Sequence, residues 1–370
     1  MNKSEQIARL RLIRTRNIGP MTYSLLMRRY GLAKAAIAAI PKLAQRGGSK
    51  ISLASIASVN GKLESIDAAG AVLLWRACEY YPERLAQFDD APACITARGN
   101  LHLLTQPMIA IVGARNASIN AQRHVHNIAS ELGKHGYIIV SGMARGIDAA
   151  AYCGALDTGT IGVIAGGIDI VCPPENADLF EEVASRGLLL AEMPPATQPT
   201  PKHFPIRNRV IASLTVGVVV AEAAHRSGSL ITAREAATRG SDVMAVPGSL
   251  LDPRSDGCKQ LIHDRATLLQ NEADVIERVS RQPAVRIPPE QFEWTDSMRQ
   301  TIDQTAVDRY RQKLAEDLLL DPVNIVELFS WSEMPEPVVW AAILELEIAG
   351  IVNRHYGNRV ARIAQQSADK

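Results

Sequence analysis

Small, polar and basic residues recur directly after short apolar segments of the sequence. Those that follow four such segments are Gly113, Arg115, Ser118, Ser141, Gly142, Arg145, Gly146, Asp148, Gly166, Gly167, Ser227, Gly228, Ser229 and Thr232. Glycine lets a backbone approach a ligand closely, and the first N–H groups of a following helix carry partial positive charge. Together these residues predict a pocket for an anion.

A further basic segment, residues 201–209, places an aromatic ring between cations. It contributes Lys202, Phe204, Arg207, Asn208 and Arg209. Arginine forks bind phosphate bidentately, and an aromatic ring is a platform for any base, worth about 1 to 3 kcal/mol per stacked base. The segment therefore indicates the binding of a nucleic-acid strand.

A purely structural interpretation of this segment stays open. The ring of Phe204 would then pack in a core. Arg207 or Arg209 would pair with one of the acidic residues at the segment ends, namely Asp148, Asp169 or Glu222.

Three familiar ligand classes are excluded by the motifs. No Gly-x-x-x-x-Gly-Lys-Ser/Thr occurs, so a Walker-type nucleotide hydrolase lacks its lysine. Arg115 stands where a dinucleotide-binding turn needs glycine, and Ser141 stands where the second strand would end before a ribose-binding acid. The eight histidines show no metal-binding spacing. We therefore expect neither a cofactor nor a metal.

Seven short apolar segments alternate with helical stretches between residues 108 and 269. They span residues 109–112, 137–140, 160–165, 188–191, 216–221, 242–246 and 266–269. Such an alternation is typical of a parallel sheet covered on both faces. It predicts an α/β, Rossmann-like fold with a doubly wound, mostly parallel sheet. Ligands of this fold bind beyond the carboxyl ends of the strands, where the residues named above would meet.

Smaller domains are predicted on both sides of the sheet domain, which spans residues 76–278. Residues 1–75 read as a small helical domain of SAM or helix-hairpin-helix type, with eleven lysines and arginines against one acid in the first fifty residues. Its break at residues 17–20 resembles a phosphate-binding hairpin, although an ordinary helix pair is equally compatible. Residues 279–312 read as a polar, proline-containing linker, and residues 313–363 as a winged helix.

The predicted winged helix is acidic. Residues 313–362 contain four basic and eight acidic residues, and the helix that would enter a DNA groove contains no lysine or arginine. Because phosphate neutralisation supplies most of non-specific DNA affinity, this domain is expected to contact protein rather than to read a duplex. Its apolar residues, Trp340, Ile343, Leu344 and Ile348, are also compatible with a core of its own.

Composition sets the broad class. The 370 residues suffice for two or three domains, and 40 basic against 39 acidic residues do not predict a polybasic coat. The five cysteines form no Cys-x-x-Cys pair, so reduced thiols are expected rather than disulfides or a zinc site. Neither a membrane-spanning apolar run nor an export signal is found, so a cytoplasmic location is expected.

The motifs resemble those of the DNA-processing protein A family, DprA or Smf, over about residues 80–278. The matching segments are residues 81–85, 111–115, 141–151, 204–209, 227–233 and 245–248. The resemblance implies a protein that is not an enzyme, that binds and protects single-stranded DNA during natural transformation, and that assists loading of the RecA recombinase. It also implies a homodimer through the Rossmann-like domain, involving the stretch after Gly248.

The resemblance further implies roles for particular residues. Arg115 and the group Lys202, Phe204, Arg207 and Arg209 would line the strand-binding pocket. The loops 142–146 and 227–232 would supply backbone N–H donors. The sequence departs from the family pattern at Tyr152, Cys172, Ser241, Lys259 and Arg265, which affects the expected pocket edge and dimer contacts.

Two other functions stay open. A nucleotide phosphoribohydrolase of the LOG or lysine-decarboxylase-like class carries Gly-Gly-x-Gly-Thr followed by a catalytic glutamate. Residues 227–232 lack the glycine pair, but Glu235 follows at helical distance. A purely architectural adaptor with an unused pocket is the other alternative.

Overall fold

A nine-stranded sheet forms the larger part of the structure. The computed structural model describes residues 2–76, 78–281 and 302–364, which divide into two compact units. The strands of the sheet, all in the unit that includes residues 62–88 and 94–281, are β1 (Val72–Trp75), β2 (Cys94–Gly99), β3 (Met108–Gly113), β4 (Ile138–Ser141), β5 (Thr160–Ile164), β6 (Leu188–Ala191), β7 (Gly217–Ala221), β8 (Asp242–Ala245) and β9 (Thr267–Leu268). Their order is β1-β2-β6-β5-β4-β3-β7-β8-β9.

Strands β3 to β9 are parallel, whereas β1 and β2 extend the sheet as antiparallel strands beside β6. From β3 the chain moves outward through β4, β5 and β6, then returns to place β7 on the other side of β3. This confirms the predicted doubly wound, mostly parallel sheet. Each of the seven predicted strands is present, with ends that differ by at most one residue.

Helices precede, connect and follow the strands of the sheet. They are α4 (Ile56–Ala68), α5 (Glu83–Ala86), α6 (Ile119–Lys134), α7 (Ile147–Ala155), α8 (Ala177–Arg186), α9 (His203–Leu214), α10 (Gly228–Thr238), α11 (Asp256–His263) and α12 (Glu272–Ser280). Strand residues such as Ile109 and Ile111 are fully buried against Val125 and Leu132 of α6. Burial on both faces explains why these strands read as continuous apolar runs.

The second unit contains residues from both ends of the chain. Helices α1 (Lys3–Ile13), α2 (Pro20–Tyr30) and α3 (Ala33–Arg46) come from the first end, and α13 (Gln304–Asp317), α14 (Ile325–Ser332) and α15 (Glu336–Ala349) from the other. Strands β10 (Val323–Asn324), β11 (Val352–His355) and β12 (Arg359–Arg362) form a small antiparallel sheet in the order β10-β12-β11. The order α13-β10-α14-α15-β11-β12 confirms the winged helix.

The two ends of the chain share one apolar core. Ile40 and Leu43 of α3 belong to the same buried cluster as Ile343 and Leu344 of α15. The side chain of Asn17, in the predicted hairpin between α1 and α2, donates a hydrogen bond to the Ile348 carbonyl at 3.2 Å. The predicted hairpin and the helix that would enter a DNA groove in a winged helix are thus in contact with each other.

Buried charges reinforce this contact. Glu345 of α15 is fully buried, and its carboxylate lies 2.6 Å from Arg311 and 3.5 Å from Arg46. Burial raises the pKa of the nearby Glu347 carboxyl, while Arg354 at 2.7 Å acts in the opposite direction. Two acidic residues of α15, the helix that would enter a DNA groove in a winged helix, therefore form internal ion pairs with arginines.

The predicted linker, residues 279–312, differs from the structure at both ends. Helix α12 continues to Ser280, and α13 begins at Gln304. The intervening residues 282–301 lie outside the described residues. Strand β1, placed by sequence in the N-terminal helical domain, belongs to the large sheet.

Two features are absent from the described residues. None of the helices in the described ranges is long and apolar enough to cross a membrane. The same part of the chain holds no cluster of three or more histidine, cysteine, aspartate or glutamate side chains placed to hold a metal ion.

Candidate nucleic-acid interface

A crevice opens where the chain leaves β3 and β7 in opposite directions. This is the point at which ligands bind in open α/β sheets, because the loops after the two strands diverge. A cavity of about 490 Å³ lies there. We name it the arginine cavity, after Arg115, Arg207, Arg226 and Arg254 in its lining.

The arginine cavity brings together most of the predicted site residues. Those in its lining are Gly113, Arg115, Gly142, Asp148, Phe204, Arg207, Asn208, Ser227, Gly228, Ser229 and Thr232. Four arginines against the single carboxylate of Asp148 make the lining cationic. The chemistry of this lining suits an anionic ligand.

An exposed cation and an aromatic ring meet at this cavity. The guanidinium carbon of Arg115 lies 5.4 Å from the ring centroid of Phe204, within the range of a cation–π contact. Arg115 is exposed and Phe204 is half-buried, so neither side chain is fully buried in a core. The pair presents a charge for a phosphate next to a flat apolar surface for a base.

Arg207 is buried and its guanidinium is held by the protein itself. Its Nη1 donates to the carbonyls of Gly142 and, at 3.1 Å, Val163, and its Nε donates to Asn208 Oδ1 at 3.0 Å. Burial lowers the pKa of Arg207, while the negative charge of Asp148 acts against this. Arg207 therefore stabilises the cavity wall with donors that were expected to grip a ligand.

The loop after β4 is shaped by Asp148. Its Oδ2 accepts hydrogen bonds from the backbone N–H groups of Gly142 (3.0 Å) and Ala144 (3.2 Å), and the Met143 N–H donates to the Tyr152 hydroxyl at 3.2 Å. Burial raises the pKa of the Asp148 carboxyl, and Arg207 acts in the other direction. Three N–H groups expected to face a ligand thus hold the loop instead.

Glycine is required in this loop for packing. A Cβ on Gly142 would collide with the guanidinium of Arg207. Gly146 has φ 72°, and a Cβ there would lie 2.6 Å from the Arg115 carbonyl oxygen. These close contacts let Arg207 and the Arg115 loop approach the end of β4.

The first turn of α10 forms the opposite wall. The Ser227 side chain caps this helix by accepting from the Ser229 N–H at 3.4 Å, and Asn208 donates to the Gly228 carbonyl at 3.2 Å. A Cβ built on Gly228 would meet nothing within 4 Å. The start of α10 is thus fixed by α9 and faces open space.

The remaining predicted residues do not line the arginine cavity. Ser118 bonds to Glu222, the Ser141 hydroxyl donates to the Ile111 carbonyl, and Arg145 lies on the surface 3.8 Å from Glu175. Gly166 and Gly167 pack against backbone oxygens, and Gly146 packs against the backbone of Ala114 and Arg115. Lys202 is exposed and lies outside the cavity lining.

Arg209 makes an ion pair with a residue that sequence reasoning did not name. Its Nη2 lies 2.7 Å from Glu192 Oε2, and both side chains are mostly buried. The structural interpretation expected a partner among Asp148, Asp169 and Glu222. The pairing is of the expected kind, with a different carboxylate.

Two lining arginines were missed by sequence reasoning. Arg226 precedes Ser227 directly, and Arg254 follows β8 in a loop where Asp252 holds it at 2.7 Å. The adjacency of Arg226 to the predicted loop is a signal that could have found it. Arg254 has no comparable signal in the sequence.

The chain matches two family models. Residues 72–280 match the DNA recombination-mediator protein A model, and residues 3–64 match the DprA-like N-terminal HHH domain. DNA processing protein DprA of Streptococcus pneumoniae is 45% identical over 198 residues, which cover 53% of this chain and 70% of that protein. Protein Smf of Synechocystis is 33% identical over 309 residues, covering 76% and 78%.

Solved structures give the same result. The X-ray structure of DprA from Streptococcus pneumoniae matches with a TM-score of 0.55 and 34% identity, covering 70% of this chain and 97% of that one. A structure of DNA processing protein A from Helicobacter pylori matches with a TM-score of 0.53 and 30% identity, covering 57% and 95%. The chain belongs to the DNA processing protein A family, whose members are also called Smf.

Proposed function

We propose that this protein binds single-stranded DNA in the arginine cavity and acts, without catalysis, in recombination during natural transformation. The observation that carries the proposal is the exposed Arg115 above the ring of Phe204 in a cavity lined by four arginines. The Helicobacter pylori structure is described by its single-stranded DNA binding mode, which supports the same ligand class. In this proposal the protein protects an incoming strand and assists RecA loading.

The geometry favours a single strand over a duplex. A ring that stacks on a base needs an unpaired base whose face is accessible. Meanwhile α15, the helix that would enter a duplex groove, is buried against the N-terminal helices. Duplex affinity through that helix is therefore not expected.

The geometry gives little support to a nucleotide hydrolase. Glu235, which would be its catalytic acid, lies 3.0 Å from Arg239 and does not line the arginine cavity. Asp148 does line it, but its Oδ2 accepts two backbone N–H groups that shape the loop. Neither carboxylate is arranged to activate water.

An anisotropy titration over a salt series tests the proposed function. We expect labelled oligo-dT to bind more tightly than a duplex of the same length, and a mononucleotide to compete weakly. If Arg115, Arg226 and Arg254 each neutralise one phosphate, the plot of log K against log salt will have a slope of about −2, from about −0.7 per contact.

Two outcomes would contradict the proposal. One is equal affinity for single strand and duplex, and the other is binding that does not respond to salt. The oligonucleotide should also be recovered intact. Release of free base from AMP would support the hydrolase instead.

We also propose a homodimer through the Rossmann-like domain. Leu250 and Leu251, in the loop after β8, are 84% and 94% exposed, and adjacent exposed leucines favour a protein contact. Light scattering should show a dimer for the native chain and a monomer for a variant carrying Leu250→Asp and Leu251→Asp. A variant that stays dimeric would place the interface elsewhere.

A further inference from the structure

Glu222 directs its carboxylate toward α6 instead of toward the arginine cavity. It follows β7 directly, and its Oε2 accepts from the Ser118 N–H at 2.8 Å while its Oε1 accepts from the Ser118 hydroxyl at 2.6 Å. Ser118 is the N-cap residue of α6. The protein therefore places a negative charge of its own on the N-terminus of this helix.

The backbone of Glu222 has an uncommon conformation. Its φ is 46°, in the left-handed region that costs free energy for a residue other than glycine. A two-point hydrogen bond from the carboxylate to Ser118 accompanies this conformation. The end of β7 is thus fixed to the start of α6 across the crevice.

Helix α6 is the one that would bind a nucleotide in this kind of fold. In doubly wound sheets the pyrophosphate sits at the N-terminus of the helix that follows the first strand at the crevice. Here that strand is β3 and that helix is α6. The Glu222 carboxylate accepts hydrogen bonds from Ser118, the N-cap residue of this helix.

A second cavity extends the same negative region. It measures about 370 Å³, and Ser118, His124, Glu222 and Asp252 are among its lining residues. Of the described residues that line this acidic cavity, none is lysine or arginine. Glu222 therefore gives the α6 side of the crevice a negative charge, whereas the Asp252 carboxylate in the same lining is paired with Arg254.

The first turn of α10 differs from that of α6 in this respect. It contains no acidic residue, and Arg226, Ser227 and Arg254 lie beside it in the arginine cavity. An anion entering the crevice therefore meets arginine side chains on this side and the Glu222 carboxylate on the other.

We propose that Glu222 is a specificity-determining residue that excludes free nucleotides and dinucleotides from the crevice by substituting for their phosphate at α6. The strand-binding half of this inference rests on the proposed function, whereas the exclusion of nucleotides does not. A strand is then held by the Arg115 and α10 side, while a lone nucleotide lacks the site that this fold normally provides.

The test is calorimetric titration of ADP and of inorganic pyrophosphate into the full chain and its variants. Glu222→Gln keeps an oxygen for the Ser118 N–H and removes the charge, and Glu222→Ala removes both. We expect Glu222→Ala, which empties the position at α6, to bind the two probes at least tenfold more tightly than the native protein, and Glu222→Gln, which still occupies it, to gain less. Glu131→Gln, on the exposed surface of the same helix, is the matched control and should show no gain.

The inference is overturned if a folded Glu222→Ala variant, with a melting temperature near that of the native chain, shows no gain for either probe. It is also overturned if the native protein already binds ADP as tightly as the variants do. The calorimetric titrations contain no oligonucleotide. Failure of the native protein to bind single strands would therefore contradict the proposed function but would not affect the test of Glu222.

Discussion

Alanine in place of Arg207 is expected to lower the free energy of unfolding by about 3 to 5 kcal/mol. The guanidinium bonds to the Gly142 and Val163 carbonyls and to Asn208, and it faces the buried charge of Asp148. Its removal leaves these acceptors without a donor and that carboxylate without a nearby cation. Urea denaturation measures the loss directly.

Arg207→Lys is the matched variant for this prediction. A single ammonium keeps the charge but cannot reach three acceptors in the geometry of the planar fork. We expect it to recover only part of the lost stability. If Arg207→Ala has the same urea midpoint of unfolding as the native protein and yet loses DNA affinity, the guanidinium contacts the ligand and its internal hydrogen bonds are dispensable.

Replacing Arg115 with alanine is expected to weaken oligo-dT binding by about ten- to a hundredfold, while stability stays within about 0.5 kcal/mol of the native value. The affinity falls because one charge-assisted phosphate contact and the cation beside Phe204 are both lost. Stability is preserved because the side chain is exposed. The salt dependence should decrease by about 0.7 on the log–log plot.

Arg145→Ala provides a control of the same chemistry. Arg145 also follows a strand of the sheet and is also exposed, but it lies near Glu175 and does not line the arginine cavity. The Arg145→Ala substitution should change oligo-dT affinity by less than about threefold, within the small effects typical of surface charges. Equal losses from the two variants would mean that general charge, rather than this cavity, holds the strand.

The parallel strands were predictable because burial on both faces leaves a continuous apolar run for each. Strands β1 and β2 were not predicted, because the exposed Val72 and the polar Thr96 interrupt the apolar pattern of these antiparallel additions. Their place depends on pairing with β6, a contact distant in sequence.

The site was predictable in residue type but less so in role. Arg207 and Arg209 are two residues apart on α9, so they face different directions, one toward Gly142 and the other toward Glu192. From the sequence alone, both arginines are equally suited to contact a ligand. Tertiary packing decides which carbonyl or carboxylate each arginine contacts. It also places Arg254, from the loop after β8, in the lining of the arginine cavity.

The common core of α1 to α3 with α13 to α15 has a consequence for synthesis on the ribosome. Helices α1 to α3 leave the exit tunnel before the sheet domain, yet Ile40, Leu43 and Arg46 gain the partners that α15 supplies only when residues 304–364 have been made. Domains usually fold as units in the order of their translation. Here the central sheet can fold before α1 to α3 meet α13 to α15, so helices that are made before the sheet complete their native packing after it.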